Sequence, residues 1–186
     1  GSAGGIGKAI AKKMVQEGAV VVLNDMNEER LAGAENEFVS LFGKDNVATA
    51  TLDVTDSAQI QEAFKIANLS FGGVDIVVNN AGLSISKSIE DHTDKDWELL
   101  YDVLVHGQFL VTQAATKTLK AQAIGGDILN IVSKNALVSG PNNAGYGSAK
   151  AAQLHLSRLN ATELGPHKIR VNVVNLTLTI GQAEHM

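Results

Sequence analysis

The chain has 186 residues, the size of one ordinary domain or of one domain with segments absent. Apolar residues make up 45% and charged residues 19%, a balance typical of a folded globular chain. The net charge of -5 is opposite in sign to a phosphate-binding surface, so we expect no nucleic-acid partner. There is no cysteine, and the longest apolar run, residues 19–23, is far below the roughly 18 residues of a membrane span. We therefore expect a cytoplasmic protein without a membrane partner.

Helix-like and strand-like apolar patterns alternate from the start of the chain. An apolar face running from Ile6 to Met14 predicts a first helix, and Gly18 stands where that helix should end. The Val- and Leu-rich residues 19–25 predict a strand that is covered on both faces. Residues 27–43 predict a second helix, with an asparagine cap and a terminal glycine.

The same alternation continues to the end of the chain. Further strands are predicted at residues 47–53, 74–79, 127–132 and 169–175, and further helices after a capping box of Asp56 and Gln59, from Thr93 through Leu104, and over residues 146–164.

Strict alternation of strands and helices predicts an α/β fold, a three-layer doubly wound parallel sheet of the Rossmann type, in a single domain over residues 1–186. Ligands of such sheets bind at the carboxyl ends of the strands. A glycine-rich segment like the one at residue 1 normally follows a central strand, and residues 176–186 contain no final strand. We expect the first and last strands of the sheet to lie outside this sequence.

The chain begins with a glycine-rich loop that leads into the first helix. Small residues let the backbone approach a pyrophosphate, which the free N–H groups of the helix then bind. Asp25 lies 20 residues beyond Gly5, at the end of the next strand, where a carboxylate can accept hydrogen bonds from an adenosine ribose. The predicted dinucleotide-binding residues here are Gly1, Ser2, Gly5, Ile6, Gly7 and Asp25.

Asp25 also predicts which dinucleotide is bound. A ribose 2′-phosphate about 4 Å from its carboxylate would be repelled by roughly 4 kcal/mol per unit charge at an effective dielectric constant of 20. No Arg or Lys stands at Gly4 or Met26 to offset that repulsion. We expect the cofactor to be NAD, in preference to NADP.

Tyr146 and Lys150 form a Tyr-x-x-x-Lys segment, and Ser133 ends a predicted strand 13 residues upstream. Residues four apart on a helix face the same way, so the ammonium can lower the pKa of the phenol. Moving that pKa from about 10 to about 7 takes roughly 4 kcal/mol, which one nearby charge supplies. Such a pair alone is usually structural, but together with the serine and the glycine-rich loop it predicts a general acid/base site.

At this point the chain resembles the short-chain dehydrogenase/reductase family. The matching residues are Gly1, Gly5 and Gly7, the Leu-Asp-Val of residues 52–54, the Asn-Asn-Ala-Gly of residues 79–82, Ser133, Tyr146 and Lys150. The resemblance implies that Tyr146 donates or accepts the proton, Lys150 also holds the nicotinamide ribose, and Ser133 bonds the reacting oxygen. It further implies cofactor contacts at Asp53, Val54, Asn80, Ala81 and Gly82.

One position departs from that pattern. Where the family has an asparagine in the long central helix, this sequence has Leu104, which cannot form its hydrogen bonds. Residues 102–110 and 133–145 are most similar to the dehydrogenase portion of bifunctional rhamnulose-1-phosphate aldolase/alcohol dehydrogenases, and also to sugar-alcohol dehydrogenases. In that subgroup the asparagine is often absent. The similarity implies a polyol or a small hydroxyaldehyde such as lactaldehyde as substrate.

These observations predict an NAD-dependent oxidoreductase acting on a small alcohol or carbonyl compound. A non-catalytic dinucleotide-binding module is the alternative suggested by Leu104, and a methyltransferase-like domain would leave Tyr146 and Lys150 without a role.

The five histidines show no metal-ligand spacing and are interpreted as surface or helix-end residues, so no metal is expected. Trp97 and Tyr101 could line a substrate pocket, but we expect them to pack against a neighbour. The last helix is apolar on more than one side, which predicts a homodimer or homotetramer.

Overall fold

The computed structural model describes residues 1–177, which form helices and parallel strands. They divide into two compact units, Gly1–Val74 and the residues from Asp75 onward. In residues 1–177 no helix is long and apolar enough to cross a bilayer. The α/β, Rossmann-like class predicted from the alternating pattern is confirmed.

The first unit contains three helices and two strands. They are α1 (Gly5–Gln16), β1 (Val21–Asp25), α2 (Glu28–Phe42), β2 (Val47–Thr51) and α3 (Ser57–Phe71). The two strands pair in parallel, with Val21 opposite Val47 and Asp25 opposite Thr51. Their carboxyl ends therefore lie side by side.

The core of the first unit lies where α2 packs on the strands. Leu23 and Phe38 are fully buried, and Leu31 is 5% exposed. As predicted, Asn27 caps α2, its side chain accepting a 2.8 Å hydrogen bond from the N–H of Arg30. Gly43 ends the helix with a φ of 89°, a conformation that favours glycine.

The start of α3 differs from the expected capping box. Asp56 caps the helix by accepting from the N–H groups of Ala58 and Gln59. The N–H of Asp56 itself donates to the Asp53 carbonyl at 3.0 Å, so it does not need the side chain of Gln59. That side-chain carbonyl instead accepts a 2.8 Å hydrogen bond from the N–H of Asp53. The predicted capping box is therefore wrong in one of its two hydrogen bonds. The N–H of Asp56 does not donate to the side chain of Gln59, because it donates to the carbonyl of Asp53 in the preceding loop.

The second unit is built on a three-stranded parallel sheet. Its elements are β3 (Ile76–Asn79), α4 (Asp94–Tyr101), α5 (Gly107–Gln122), β4 (Gly126–Ser133), α6 (Ala144–Leu164) and β5 (Ile169–Leu176). The strand order is β3-β4-β5, with Asn79 opposite Asn130 and Ser133 opposite Leu176. No described strand joins this sheet to the β1-β2 pair, so the single sheet expected from the sequence is seen as two.

The long helix predicted from Thr93 is interrupted by one wider turn. Thr93 and Asp96 form a complete capping box at its start. Residues Asp102–His106 form a π-helical turn between α4 and α5, in which the N–H of Gly107 donates to the carbonyl of Asp102. Turns of this kind are common at functional sites. This one carries Leu104, which packs against Ala149 of α6.

Candidate active site

The glycine-rich loop leaves the start of α1 open. Gly4 precedes the helix in an extended conformation, and among the described residues no side chain caps it. A Cβ atom added at Gly4 or Gly5 would meet nothing within 4 Å, and Gly5 has a φ of 49°. Free N–H groups at a helix start beside open space suit a pyrophosphate group. The donor set therefore fits the dinucleotide that the sequence predicts.

Ser2 fastens this loop to the end of β1. Its N–H donates to the carbonyl of Asn24 at 2.7 Å, and its hydroxyl accepts from the N–H of Asn24 at 2.6 Å. The loop is thereby held beside Asp25, the next residue of the strand.

Asp25 is buried, only 4% exposed, and one of its oxygens is already occupied. Oδ1 accepts a 3.0 Å hydrogen bond from the N–H of Asn27 and a 3.1 Å bond from the guanidinium of Arg30. Sequence reasoning missed Arg30. Its position in the first turn of α2, five residues after Asp25, does not by itself imply the contact.

Asp53 and Val54 lie in the loop after β2. The N–H of Leu52 donates to the Asp25 carbonyl at 3.0 Å, which keeps this loop beside the end of β1. Oδ1 of Asp53 accepts from the N–H and the hydroxyl of Thr55, at 2.9 and 2.8 Å. The Asp53 carboxylate thus fixes the loop.

In the second unit, the segment after β3 lies against Lys150. The side chain of Asn79 donates to Asn130 at 2.8 Å and so ties the end of β3 to the interior of β4. Asn80, Ala81 and Gly82 follow. A Cβ atom at Gly82 would lie 3.0 Å from Leu104 Cδ2 and 4.0 Å from Lys150 Nζ. Leu104 would have to shift to admit a larger residue there.

The structure brings Ser133, Tyr146 and Lys150 together. Ser133 ends β4, and the other two lie on the first turns of α6. The Ser133 hydroxyl is hydrogen-bonded to Tyr146. Nζ of Lys150 lies 5.6 Å from the centre of the Tyr146 ring and donates to the Ile131 carbonyl at 3.1 Å. The grouping expected from the spacing is present.

The pKa of Tyr146 departs from the expectation. Burial raises the pKa of its phenol, and the hydrogen bond from Ser133 offsets only part of that effect. Burial also lowers the pKa of Lys150 to about 8. The expected lowering of the Tyr146 pKa by the lysine charge is wrong here, because both groups sit where water solvates their charged forms poorly.

A loop from the β3–α4 connection holds the start of α6, a feature that sequence reasoning missed. Asn142 has a φ of 57°, and its carbonyl accepts from the N–H of Lys87 at 3.1 Å and the hydroxyl of Ser86 at 3.2 Å. A Cβ atom at Gly145 would lie 2.5 Å from Nε2 of His92. The first turn of α6, which carries Tyr146, is therefore held by the hydrogen-bonded carbonyl of Asn142 and by the imidazole of His92 packed on Gly145.

His92 lies at a helix end, directly before Thr93, the cap of α4. Its two ring nitrogens are buried, and they lack a hydrogen-bond partner within the described residues. Its packing on Gly145 explains the burial. In the part of the chain that the structure describes, no three His, Asp or Glu side chains could hold a metal ion. His185 lies outside the described residues.

Two further sequence predictions concern the long helix. Leu104 is fully buried in the cluster with Leu100 and Ala149, and it occupies the position where the family has asparagine. Trp97 and Tyr101 stack on each other with ring centres 4.6 Å apart. Tyr101 packs against the Leu100 cluster, but Trp97 is 43% exposed, so the expected packing against a neighbour is wrong for Trp97.

Comparison with known proteins identifies the family. The short chain dehydrogenase family model matches residues 1–184. The uncharacterized oxidoreductase YuxG of Bacillus subtilis (strain 168) is 41% identical over 174 residues, which are 94% of this chain and 25% of that protein. The chain thus spans about a quarter of the length of this relative.

Two solved structures are similar along most of the chain. Sorbitol-6-phosphate 2-dehydrogenase SrlD from Erwinia amylovora has a TM-score of 0.90 at 26% identity, covering 94% of this chain and 68% of that one. A gluconate 5-dehydrogenase from Burkholderia cenocepacia J2315, in complex with NADP and tartrate, has a TM-score of 0.88 at 30% identity, covering 95% and 68%. The chain belongs to the short chain dehydrogenase family.

Proposed function

We propose that the protein is an NAD-dependent oxidoreductase that transfers a hydride between the nicotinamide and a small alcohol or carbonyl compound. The observation that carries the proposal is the grouping of the Ser133 hydroxyl, the Tyr146 phenol and the Lys150 ammonium at the start of α6. A methyltransferase would have no use for these three groups.

Tyr146 is the general acid/base of the proposed reaction. In the oxidation direction it takes the proton of the substrate hydroxyl, and the hydrogen bond to Ser133 stabilises its deprotonated form. When substrate is bound, the single hydroxyl hydrogen of Ser133 is donated to the substrate oxygen instead of to the phenol, and it stabilises the charge that develops there. Lys150, with a pKa of about 8, gains and loses a proton near neutral pH. The bound dinucleotide supplies the hydride acceptor.

The residues of the first unit are proposed to bind the adenosine half of the dinucleotide. Gly1, Ser2, Gly5, Ile6 and Gly7 provide the pyrophosphate loop, Asp25 the ribose acceptor, and Asp53 with Val54 the adenine contact. In the second unit, Asn80, Ala81 and Gly82 are proposed to line the nicotinamide ribose together with Tyr146 and Lys150. We propose NAD as the preferred cofactor, on the charge of Asp25. We propose that residues 1–186 act as a single dinucleotide-binding oxidoreductase domain.

The proposed substrate is a polyol, a sugar-derived alcohol or a lactaldehyde-like hydroxyaldehyde. The names of the two structural neighbours, a sorbitol-6-phosphate and a gluconate dehydrogenase, support a polyhydroxylated substrate. YuxG is about four times as long as the segment it shares with this chain. That length supports the closer resemblance to bifunctional aldolase/alcohol dehydrogenases, in which the dehydrogenase is one portion.

A dinucleotide-binding module without turnover is the second candidate, and it rests on Leu104. The side chain fills, with methyl groups, the place beside Lys150 and Gly82 where the family uses an amide. Without that amide, water-mediated proton exchange from Lys150 would be slower.

The test is turnover with a panel of polyols and short hydroxyaldehydes, followed as NADH formation. We expect at least one substrate to be oxidised, and Tyr146→Phe to reduce its kcat by about 100-fold or more, since general acid/base catalysis contributes that much. NADH binding, measured by fluorescence, should be retained in the variant. Binding of NADH by the wild-type protein without turnover of any panel member would favour the module.

A further inference from the structure

We infer that Arg30 sets how strongly the protein discriminates between NAD and NADP, by neutralising Asp25 where the ribose 2′-position is recognised. The inference rests on the proposed function and refines its expected preference for NAD. It concerns residues of the first unit only.

The two oxygens of Asp25 have different surroundings. Oδ1 is held by the N–H of Asn27 at 3.0 Å and by Nη2 of Arg30 at 3.1 Å. Oδ2 faces the glycine-rich loop, 3.8 Å from the nitrogen of Gly1. Oδ2 is therefore the oxygen presented to a ribose hydroxyl, and Asn27 alone can keep Oδ1 oriented if Arg30 is removed.

The position of Arg30 is unfavourable for the helix that carries it. Arg30 is the third residue of α2, where the helix dipole favours acidic groups such as Glu28 and Glu29. A cation in this turn weakens the helix slightly. Its ion pair with the buried carboxylate accounts for its placement: the Asp25 side chain is 5% exposed and that of Arg30 57%.

The pair changes the charge that a 2′-phosphate would meet. A lone carboxylate repels the phosphate, whereas a carboxylate paired with a guanidinium presents almost no net charge. The exposed guanidinium can also donate two parallel hydrogen bonds to phosphate oxygens. Arg30 should therefore weaken the rejection of the phosphorylated ribose while leaving the plain ribose nearly unaffected.

The experiment compares equilibrium binding of AMP and adenosine 2′,5′-bisphosphate by calorimetry, at low and at high salt. Arg30→Met keeps an unbranched stem without charge, and Arg30→Lys keeps the charge without the fork. Arg170→Met is the matched control, because Arg170 forms an ion pair of the same kind with Asp127 at 2.8 Å.

In Arg30→Met we expect the Kd of the bisphosphate to rise about tenfold at low salt and that of AMP to change less than about twofold. Arg30→Lys should give a smaller rise, and Arg170→Met none. The effect should shrink at 0.5 M salt, as charge screening requires.

An unchanged ratio of the two Kd values in Arg30→Met, with AMP still bound, overturns this inference and leaves the proposed function standing. Equal weakening of both nucleotides also overturns it, since Arg30 would then act only on the shape of the site. Failure of the wild-type protein to bind either nucleotide overturns the proposed function together with the inference.

Discussion

The burial of Lys150 makes the stability of the protein depend on pH. Its pKa falls from 10.5 to about 8 because the charged ammonium is poorly solvated, and the residue is 5% exposed. The unfolded chain therefore binds more protons than the folded chain between about pH 8 and pH 10.5. The cost of burying the charge, about 3 kcal/mol, is fully present below pH 8 and disappears as the pH rises through that window.

Lys150→Met should remove this dependence. We expect the free energy of unfolding of the variant, minus that of the wild type, to be more favourable at pH 7 than at pH 10 by about 3 kcal/mol. Urea unfolding at a series of pH values measures the difference, and the common pH effects of other groups cancel. Lys13→Met, at a side chain that is 69% exposed, controls for the replacement itself. A difference that is flat with pH would contradict the assigned burial effect.

Single residues also show what the sequence can and cannot reveal. Tyr146, Lys150 and Ser133 could be predicted to meet because helix and strand spacing fixes their relative positions. The direction of the Tyr146 pKa shift could not, since it depends on how much water three-dimensional packing excludes. Arg30 was missed for a similar reason: five residues of separation on a strand-to-helix connection imply no contact until the turn geometry is known.

The start of α6 depends on a close fit between Gly145 and the loop before α4. A Cβ atom at Gly145 would lie 2.5 Å from Nε2 of His92 and 2.7 Å from Cδ1 of Leu100. Both neighbours would have to move, and Tyr146 is the next residue along the helix. Packing here therefore positions the phenol as well as stabilising the helix.

Gly145→Ala should destabilise the protein by about 1–3 kcal/mol through overpacking, and lower kcat more than it raises KM. Adding His92→Ala should recover part of the stability, because it opens the space that the new methyl group needs. Chemical unfolding of the two single variants and the double variant measures this coupling. Strict additivity of the two effects would show that the contact does not limit the position of the helix.

Gly33→Ala is the control for glycine replacement in a helix. Gly33 lies within α2, and nothing described lies within 4 Å of its added Cβ atom. We expect a gain of about 0.5–1 kcal/mol, from helix propensity alone.

Elements were predicted well where a local signal fixes them. The cap at Asn27, the terminal glycine at Gly43 and the helix start at Thr93 are all local patterns, and all are confirmed. The π-helical turn at Asp102–His106 has no such signal, because its extra residue is accommodated by packing of Leu104 on α6. The capping box predicted at Asp56 lacks its second hydrogen bond, because the side chain of Gln59 accepts from the N–H of Asp53 in the preceding loop.

At the scale of the whole molecule, exposed apolar residues on the helices of the second unit predict self-association. Leu159 on α6, Phe109 on α5 and Leu99 on α4 are 54%, 45% and 48% exposed. Contact with a second copy of the chain would bury such side chains and remove their apolar surface from water. A homodimer or homotetramer remains the prediction for the protein in solution.

Leu159→Glu should shift that assembly toward the monomer, because a charge would be buried at the contact. Sedimentation velocity at micromolar concentration is the measurement. Leu69→Glu, on α3 with 77% exposure, is the control for adding a surface charge and should leave the assembly intact. A wild-type protein that sediments as a monomer would refute the prediction.

Most elements could be predicted in their order along the described chain, because alternating periodicities and turn residues mark them. Helix α5 (Gly107–Gln122) was missed, since the predicted long helix ran only from Thr93 through Leu104. The division of the strands into two hydrogen-bonded sheets could not, since strand pairing depends on neighbours that sequence periodicity does not specify.

The most direct test of the central claim is transfer of an isotopic label. An alcohol substrate found in the turnover panel is prepared with deuterium on its carbinol carbon and incubated with NAD, and the NADH formed is analysed by mass spectrometry. We predict one deuterium per NADH with the wild-type protein, and negligible labelled NADH with Tyr146→Phe although that variant still binds the nucleotide. Unlabelled NADH from the wild-type protein, or label transfer at an unchanged rate in Tyr146→Phe, would contradict the account.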